Sequence, residues 1–435
     1  MVASIFLVIG LLSCMLYFKS YAVFREEKHF NVINGEVQDP GDIYFAYYVD
    51  DEITREIPKK GSGYTLDITK STCTNGVSIS FDENNYAVIT SYENYNATDY
   101  TRTRCDLYFK KIDITLSDYI KSLAMYNSYD LTIDEAGGNI RYIGVNPNNY
   151  VSVDGELWRI IGVMKNIDDG TGNKNDRVKL IRNESIGEYS WDSSDATIND
   201  GKGINEWSQA DLMNLLNPGY ENRTLNGSLY WNNQSGWCSG TSMYSKKTCD
   251  FTSTGIKDKL KILIGNAVWN TGSNGSDYSW NNIITSKFYE LERSANNGKI
   301  CSSGTSCNDT VVRTTTWTGK VGLMYPSDYG YATSGGSTID RAACLNKVLY
   351  KWSDSNVSDC KNNDWLYDSS SSQWTISPFA YSSYASNVFI VYSRGYVSSY
   401  SASINNEVRP VVYLTSNVKI ASGTGSQDNP FILEN

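Results

Sequence analysis

The sequence predicts an α+β fold, mainly antiparallel strands joined by long loops, preceded by a small all-β module. Three observations carry this. Short runs rich in Tyr, Val, Ile and Thr recur along the 435 residues, separated by Gly, Asn and Asp turns. Apolar residues at helical spacing occur in only a few windows. Eight of the nine cysteines fall into neighbouring couples, the pattern of a disulfide framework.

The first element is Met1 to Phe18, uncharged and almost wholly apolar, ended by Lys19. Its length lies between a signal-peptide core and the roughly 20 residues of a spanning helix. Ser20-Tyr21-Ala22 offers a small-x-small cleavage site, and "LLSC" at 11–14 loosely matches a lipobox. Each reading exports the rest, so 1–22 is expected to be a signal peptide or membrane anchor. It contacts the membrane if uncleaved. The expected location is extracellular, secreted or tethered to the cell surface. Residues 23–40, charged and mixed, read as a spacer.

From residue 41 the pattern turns to strands: "IYFAYYV", "GYTLDI", "GVSISF", "YAVITSY" and "CDLYFKK". Residues 41–111 read as a small β-sandwich-like module stapled by Cys73 and Cys105. In 112–139, "LSDYIKSLAMYNSYD" places Leu116, Ile120, Leu123 and Ala124 at helical spacing, which predicts a helical linker. The larger domain is expected over 140–435. It opens with "IRYIGVNPNNYVSVDGELWRIIGVMKN", strands with Trp158 and Ile160 inside, and "RVKLIRNES" returns after a polar loop. Helical patches are expected at 206–217, with Ser208 as N-cap, and at 256–270. "TTTWTGKVGLMYPSDYGYA" reads as a strand and "DRAACLNKVLYKW" as a short helix. The end of the chain returns to strands, with "QWTISPF", "EVRPVVYL" and "NPFIL".

Cysteine spacing fits export. Cys14 apart, the simplest pairing is Cys73–Cys105, Cys238–Cys249, Cys301–Cys307 and Cys344–Cys360, although eight cysteines allow 105 connectivities. None forms a CxxC, and the chain has one histidine, His29, so a zinc site is not expected. The same scarcity of histidine removes Ser/His/Asp and Cys/His triads. A net charge of −10 and a pI near 4.9 argue against a nucleic-acid partner. No cofactor and no catalytic residue is expected. Asp168, Asp169 and Asp176 do not match the calcium-loop spacing.

The most biased stretch is "YSSYASNVFIVYSRGYVSSYSASINN", Tyr381 to Asn406, where 16 of 26 residues are Tyr, Ser or Asn. From Phe389 to Tyr400 small or apolar residues alternate with large polar ones, and a strand sends alternate residues to opposite faces. Phe389, Val391 and Val397 are expected in the core. Ile390, Tyr392, Arg394, Tyr396, Ser398 and Tyr400 are expected outside, with Gly395 turning the chain. Tyr supplies large amphipathic contact at low rotamer cost, and Ser and Asn supply adaptable hydrogen bonds. The candidate ligand-binding set is therefore Tyr381, Tyr384, Asn387, Ile390, Tyr392, Arg394, Tyr396, Ser398, Tyr400 and Asn405. The plain alternative is an exposed Tyr/Ser-rich sheet without a ligand.

"ELWRIIGV" at 156–163, "WNTG" at 269–272, "DWLY" at 364–367, "WTISP" at 374–378 and "EVRPVVYL" at 407–414 resemble secreted proteins of gut Firmicutes that carry an uncharacterised C-type-lectin-like domain. The closing order, Trp374, then 379–406, then Arg409-Pro410-Val411, is similar to the variable proteins of diversity-generating retroelements. "PKKGSGYTLDITKSTCTNG" at 58–76 looks like modules that accompany such domains. The resemblance implies a C-type-lectin-like fold whose C-terminal strands display residues that adenine mutagenesis can change. E-P-N and Q-P-D calcium motifs are absent. No cysteine follows Cys360, which departs from the formylglycine-generating enzymes that share the fold.

The expected function is an exported surface binding protein for a protein or cell-surface ligand. One rival is a structural adhesin or wall-associated protein acting through its N-terminal β module. Another is a hydrolase using Asp340, Asp364 or Glu407, which no diagnostic spacing pairs.

Overall fold

The structure is a computed structural model. It describes residues 43–435, apart from 59–63, 83–85, 97–101, 112–113, 126–128, 194–202, 224, 226, 241–244, 274–279, 296–310 and 380–385. The expected leader and spacer, and the Cys301–Cys307 pair, lie outside the described residues. Among the described residues, no helix is long and apolar enough to cross a membrane.

Strands dominate, in several largely antiparallel sheets, and the helices are short. The N-terminal module contains β1 (Ile43–Val49), β2 (Glu52–Thr54), β3 (Tyr64–Leu66), β4 (Thr72–Cys73), β5 (Ser78–Asp82), β6 (Ala87–Ser91) and β7 (Thr103–Lys111). Its main sheet runs β2-β1-β7-β3, with β4 also pairing β7; β1 and β7 are parallel, and β5 and β6 form a separate hairpin. On β7 the period-2 alternation is clean. Cys105, Leu107 and Phe109 point into a core with Leu66 and Val77, and the residues between them face outward. Phe81 of the hairpin meets Phe109 edge to face, so the two sheets share that core. Cys73 and Cys105 lie opposite each other and are bonded.

Helix α1 (Leu116–Met125) does not act as a free linker. Leu116 and Ile120 are fully buried in the core of the larger domain, and the Leu116 amide bonds the Val418 carbonyl. The larger domain continues with β8 (Leu131–Ile133), β9 (Ile140–Tyr142), β10 (Tyr150–Val153), β11 (Glu156–Asp168), β12 (Lys174–Arg182) and β13 (Glu188–Ser190). There follow α2 (Asp211–Leu216), β14 (Ser235–Ser239), β15 (Lys246–Asp250), α3 (Asp258–Lys261), β16 (Ala267–Asn270), α4 (Thr285–Glu292), β17 (Thr316–Gly319), β18 (Val321–Gly322) and α5 (Pro326–Tyr331). The last third holds α6 (Arg341–Leu345), α7 (Ser358–Asn362), β19 (Gln373–Pro378), β20 (Asn387–Val391), β21 (Val397–Ser401), β22 (Asn405–Glu407), β23 (Val411–Tyr413), β24 (Lys419–Ser422) and β25 (Phe431–Glu434).

The largest sheet has the order β18-β23-β12-β11-β10-β25-β24, with β9 and β8 added beside β11. Early and late strands of the domain therefore share one sheet. Trp158 and Ile160 lie inside, as their strand pattern predicts. A second sheet, β13-β22-β19-β20-β21, carries the biased stretch.

Two helical expectations are corrected. Ser208 is not an N-cap: its hydroxyl donates to Glu206, and α2 starts at Asp211. The orphan amides of the first turn are met across the fold instead, Asp211 N by Asp192 and Leu212 N by the Trp191 carbonyl. Over 256–270 only Asp258–Lys261 is α-helical. Beyond it the backbone turns to pairing, with Gly265 N on the Tyr413 carbonyl and β16 against β17. The run 314–332, expected as a strand, divides into β17, β18 and α5.

A buried charged network joins the main sheet to α5. Asp328 accepts from Arg141 Nη1 and Lys179 Nζ, each at 2.5 Å, and Asp134 accepts from Arg141 Nε at 2.8 Å. Burial works against the Asp328 carboxylate, yet Lys179 and Arg141 hold it down to about 2. Burial pulls Lys179 down to about 8 despite Asp328. Next to this network, burial pushes Glu292 up to about 7, against Arg293 and the Ser327 donors.

Candidate functional site

The biased stretch forms a hairpin, β20–β21, with Val391 paired to Val397 at its closed end. The connection bends through Ser393, Arg394 and Gly395. Tyr392 N bonds the Tyr396 carbonyl at 2.9 Å, and Gly395 N bonds the Tyr392 carbonyl at 2.7 Å. Gly395 has φ +83°, a region open to glycine and costly for other residues. It is also crowded, since a Cβ there would lie 2.3 Å from Lys361 Cδ.

Side chains from elsewhere hold this turn by its backbone. Tyr329 Oη donates to the Gly395 carbonyl at 2.9 Å, and Tyr367 Oη to the Ser393 carbonyl at 3.0 Å. Lys361 Nζ donates to the Arg394 carbonyl at 2.9 Å, and Ser393 N donates to Ser372 Oγ at 3.2 Å. Four bonds to main-chain atoms fix the turn without using its own side chains. Tyr329, fully buried against Trp352, anchors the set in the core.

Above the clamp lies a connected tyrosine cluster. Tyr350 and Tyr396 meet edge to face at 5.5 Å, as do Tyr392 and Tyr400 at 6.0 Å, and the Tyr392 and Tyr396 rings are tilted to each other at 5.0 Å. The three hairpin rings are only partly buried, and Arg394 is exposed beside them. Burial raises the Tyr396 hydroxyl, with Tyr392 and Tyr350 adding to it. A hydrogen bond with Tyr392 is the main cause raising Tyr400. These hydroxyls therefore stay protonated at neutral pH and can donate and accept.

The expected site residues do not all meet here. Tyr392, Arg394, Tyr396 and Tyr400 do, and Ser398 lies between them on β21, half-buried. Asn387 sits at the open end of the hairpin, with its Nδ2 3.4 Å from Ser399 Oγ. Asn405 is on β22, which β19 and β20 separate from β21 in the sheet. Tyr381 and Tyr384 lie outside the described residues.

Ile390 is a correction. It is fully buried, as are Val388, Phe389 and Val391. β20 is an inner strand between β19 and β21, so alternation does not expose either of its faces. Phe389 packs edge to face on Phe288 and Phe379, while Ile390 pairs with Ser398 on the other face. The signal was present: four consecutive apolar residues, 388–391, mark a strand covered on both sides rather than a half-exposed one.

Tyr350, Tyr329, Tyr367, Lys361 and Ser372 were not singled out by the sequence. They lie 20 or more residues from the turn atoms they hold or touch, and nothing local announces that contact.

The carboxylates of the enzymatic rival have local roles. Asp340 caps α6 by accepting from Ala343 N at 2.7 Å. Asp364 accepts the Leu366 amide, and burial raises its pKa well above the carboxylate range. Glu407 lies in β22, raised by partial burial and by Asp368 and Glu188.

Among the described residues, three disulfides are present. Besides Cys73–Cys105, Cys238–Cys249 staples β14 to β15, and Cys344–Cys360 ties α6 to α7. Such bonds persist in oxidising compartments, which fits an extracellular setting. Compared with family models, curated proteins and solved structures, the chain matches none.

Proposed function

We propose that this is an exported bacterial surface protein that binds a protein or cell-surface ligand through the tyrosine cluster of the β20–β21 hairpin. The observation that carries the reading is the division of labour in the turn. Its backbone is clamped from below by Tyr329, Tyr367, Lys361 and Ser372, while Arg394 is exposed and Tyr392, Tyr396 and Tyr400 stand half-buried beside it. A clamped backbone lowers the ordering cost of binding, and Tyr and Arg are common interface anchors. A backbone held independently of its side chains also tolerates exchange of those side chains. That supports the further reading of a C-type-lectin-like domain with a diversified C-terminal site, as in retroelement variable proteins.

The test uses the full chain on arrays of bacterial surface glycans and secreted proteins. Wild type is compared with Tyr396→Ser and Tyr392→Ser. The expected result is a bound feature that both substitutions lose while the folded state is unchanged. Equal binding by all three proteins would remove the hairpin from the site and favour the N-terminal module.

A further inference from the structure

One wall of the tyrosine cluster comes from outside the hairpin. In the run Leu349-Tyr350-Lys351-Trp352 the two ends are fully buried and the middle pair is not. Leu349 N donates to the Ile283 carbonyl at 3.1 Å, and Trp352 packs on Tyr329, the core residue of the clamp. The short 3-10 turn Leu349–Lys351 is therefore anchored on both sides. It holds Tyr350 half-buried against Tyr396 and Lys351 exposed, with Lys351 Nζ 5.8 Å from the Tyr350 ring centre. Neither residue belongs to the stretch 381–406.

The charges at the cluster have one sign. The whole chain carries −10, yet Lys351, Lys361 and Arg394 are the charged side chains that touch these tyrosines or hold their turn. None of the three forms an ion pair among the described residues. Lys361 gives its ammonium to the Arg394 carbonyl, and Lys351 and Arg394 stand exposed. Elsewhere in the domain exposed lysines meet acids, as Lys121 meets Asp118 and Asp176, and Lys259 meets Asp154. Arg394 is the one charge among the groups that shift the Tyr396 hydroxyl. Asp368 acts on Tyr367 instead, and Asp354, three residues after Lys351, is exposed and does not pair with it. Charge of one sign at a recognition surface steers and selects partners of the other sign.

The rings favour a protein over a sugar chain. Tyr350–Tyr396 and Tyr392–Tyr400 are edge to face and Tyr392–Tyr396 is tilted, so no two neighbouring rings lie parallel as a flat stacking platform. Tyr and Arg standing together are the common anchors of protein interfaces.

We infer that the hairpin site takes an acidic segment of a protein ligand, whose carboxylates meet Lys351 and Arg394 while its apolar side chains lie on the tyrosines. This rests on the hairpin being the binding site. Lys351 and Tyr350, outside the biased stretch, form the constant half of that site, so the demand for an acid persists whatever the hairpin displays.

Panning a random peptide library displayed on phage against the full chain tests this, beside Tyr396→Ser and the double reversal Lys351→Glu with Arg394→Glu. Both reversed side chains are exposed, so the double variant should melt with wild type. Peptides selected by wild type should be enriched in Asp and Glu by about threefold or more over the input library. They should bind the double reversal weaker by about tenfold or more, the scale of one lost charge-assisted contact. The double reversal should itself select Lys and Arg. Peptides that bind Tyr396→Ser as well as wild type would overturn the hairpin site and this inference with it. Peptides lost on Tyr396→Ser that show no acidic enrichment, or that bind the double reversal equally, would overturn this inference and leave the hairpin site standing. Failure to select any peptide would also overturn it, and alginate bound by wild type but not by the double reversal would then assign the patch to an acidic polysaccharide.

Discussion

Gly395 shows how one residue sets the display turn. Its φ of +83° and the 2.3 Å approach to Lys361 leave no room for a side chain. Gly395→Ala should cost roughly 1–3 kcal/mol, the scale of a residue forced into a sparsely allowed region. Thermal unfolding of the full chain checks this, and an unchanged midpoint would mean the turn is not constrained as described. Glu292 makes a prediction about pH. Burial raises it to about 7, above its ordinary value of 4.5, so the fold favours the protonated form. That stability is fully present below about 4.5 and is lost as pH rises through about 7. Glu292→Gln should remove this fall, so the variant's melting curve should be flatter than wild type between those two values. Parallel pH profiles would contradict the assignment. At this scale the sequence was legible for Gly395, whose turn role follows from residue type. It was misread for Ile390, where alternation was extended into a continuous apolar run that packs on both faces.

Among the elements, the Cys344–Cys360 bond joins α6 to α7, and α7 carries Lys361, which holds the Arg394 carbonyl. Replacing both cysteines with serine should cost about 3 kcal/mol for a loop of this length. It should also loosen the hairpin, seen as faster amide exchange at Tyr392 and Gly395. Unchanged exchange there would mean the disulfide does not support the display turn. Asp328 ties β9, β12 and α5 together through Arg141 and Lys179. Asp328→Asn leaves two buried cations short of a partner and should destabilise by about 3–5 kcal/mol, measured by denaturant unfolding. Strands and their hairpins were readable because period-2 patterning and turn residues are local. The helix extents at 206–217 and 256–270 were not, because distant partners decide them: Asp192 and Trp191 start α2, and Tyr413 and β17 pull the later segment into sheet pairing.

At the level of the whole molecule, two cores organise the described residues, one in the N-terminal module and one in the larger domain. The helix expected to link them belongs to the second core through Leu116 and Ile120. The larger domain brings its early and late strands into one sheet and holds the β20–β21 hairpin on a second. The tyrosine cluster thus stands on a scaffold whose contacts are made by main chain and core. Such a scaffold permits change at the display positions and forbids it beneath them. Composition made the region conspicuous in the sequence, but the clamp that makes it a platform comes from residues far along the chain. The most direct test is deep sequencing of this locus across cells of one population. The account predicts substitutions concentrated at Tyr392, Arg394, Tyr396, Ser398 and Tyr400, with Val388, Phe389, Ile390, Val391, Gly395 and Val397 fixed. Substitutions spread evenly over both sets, or none at the display positions, would contradict a diversified recognition surface.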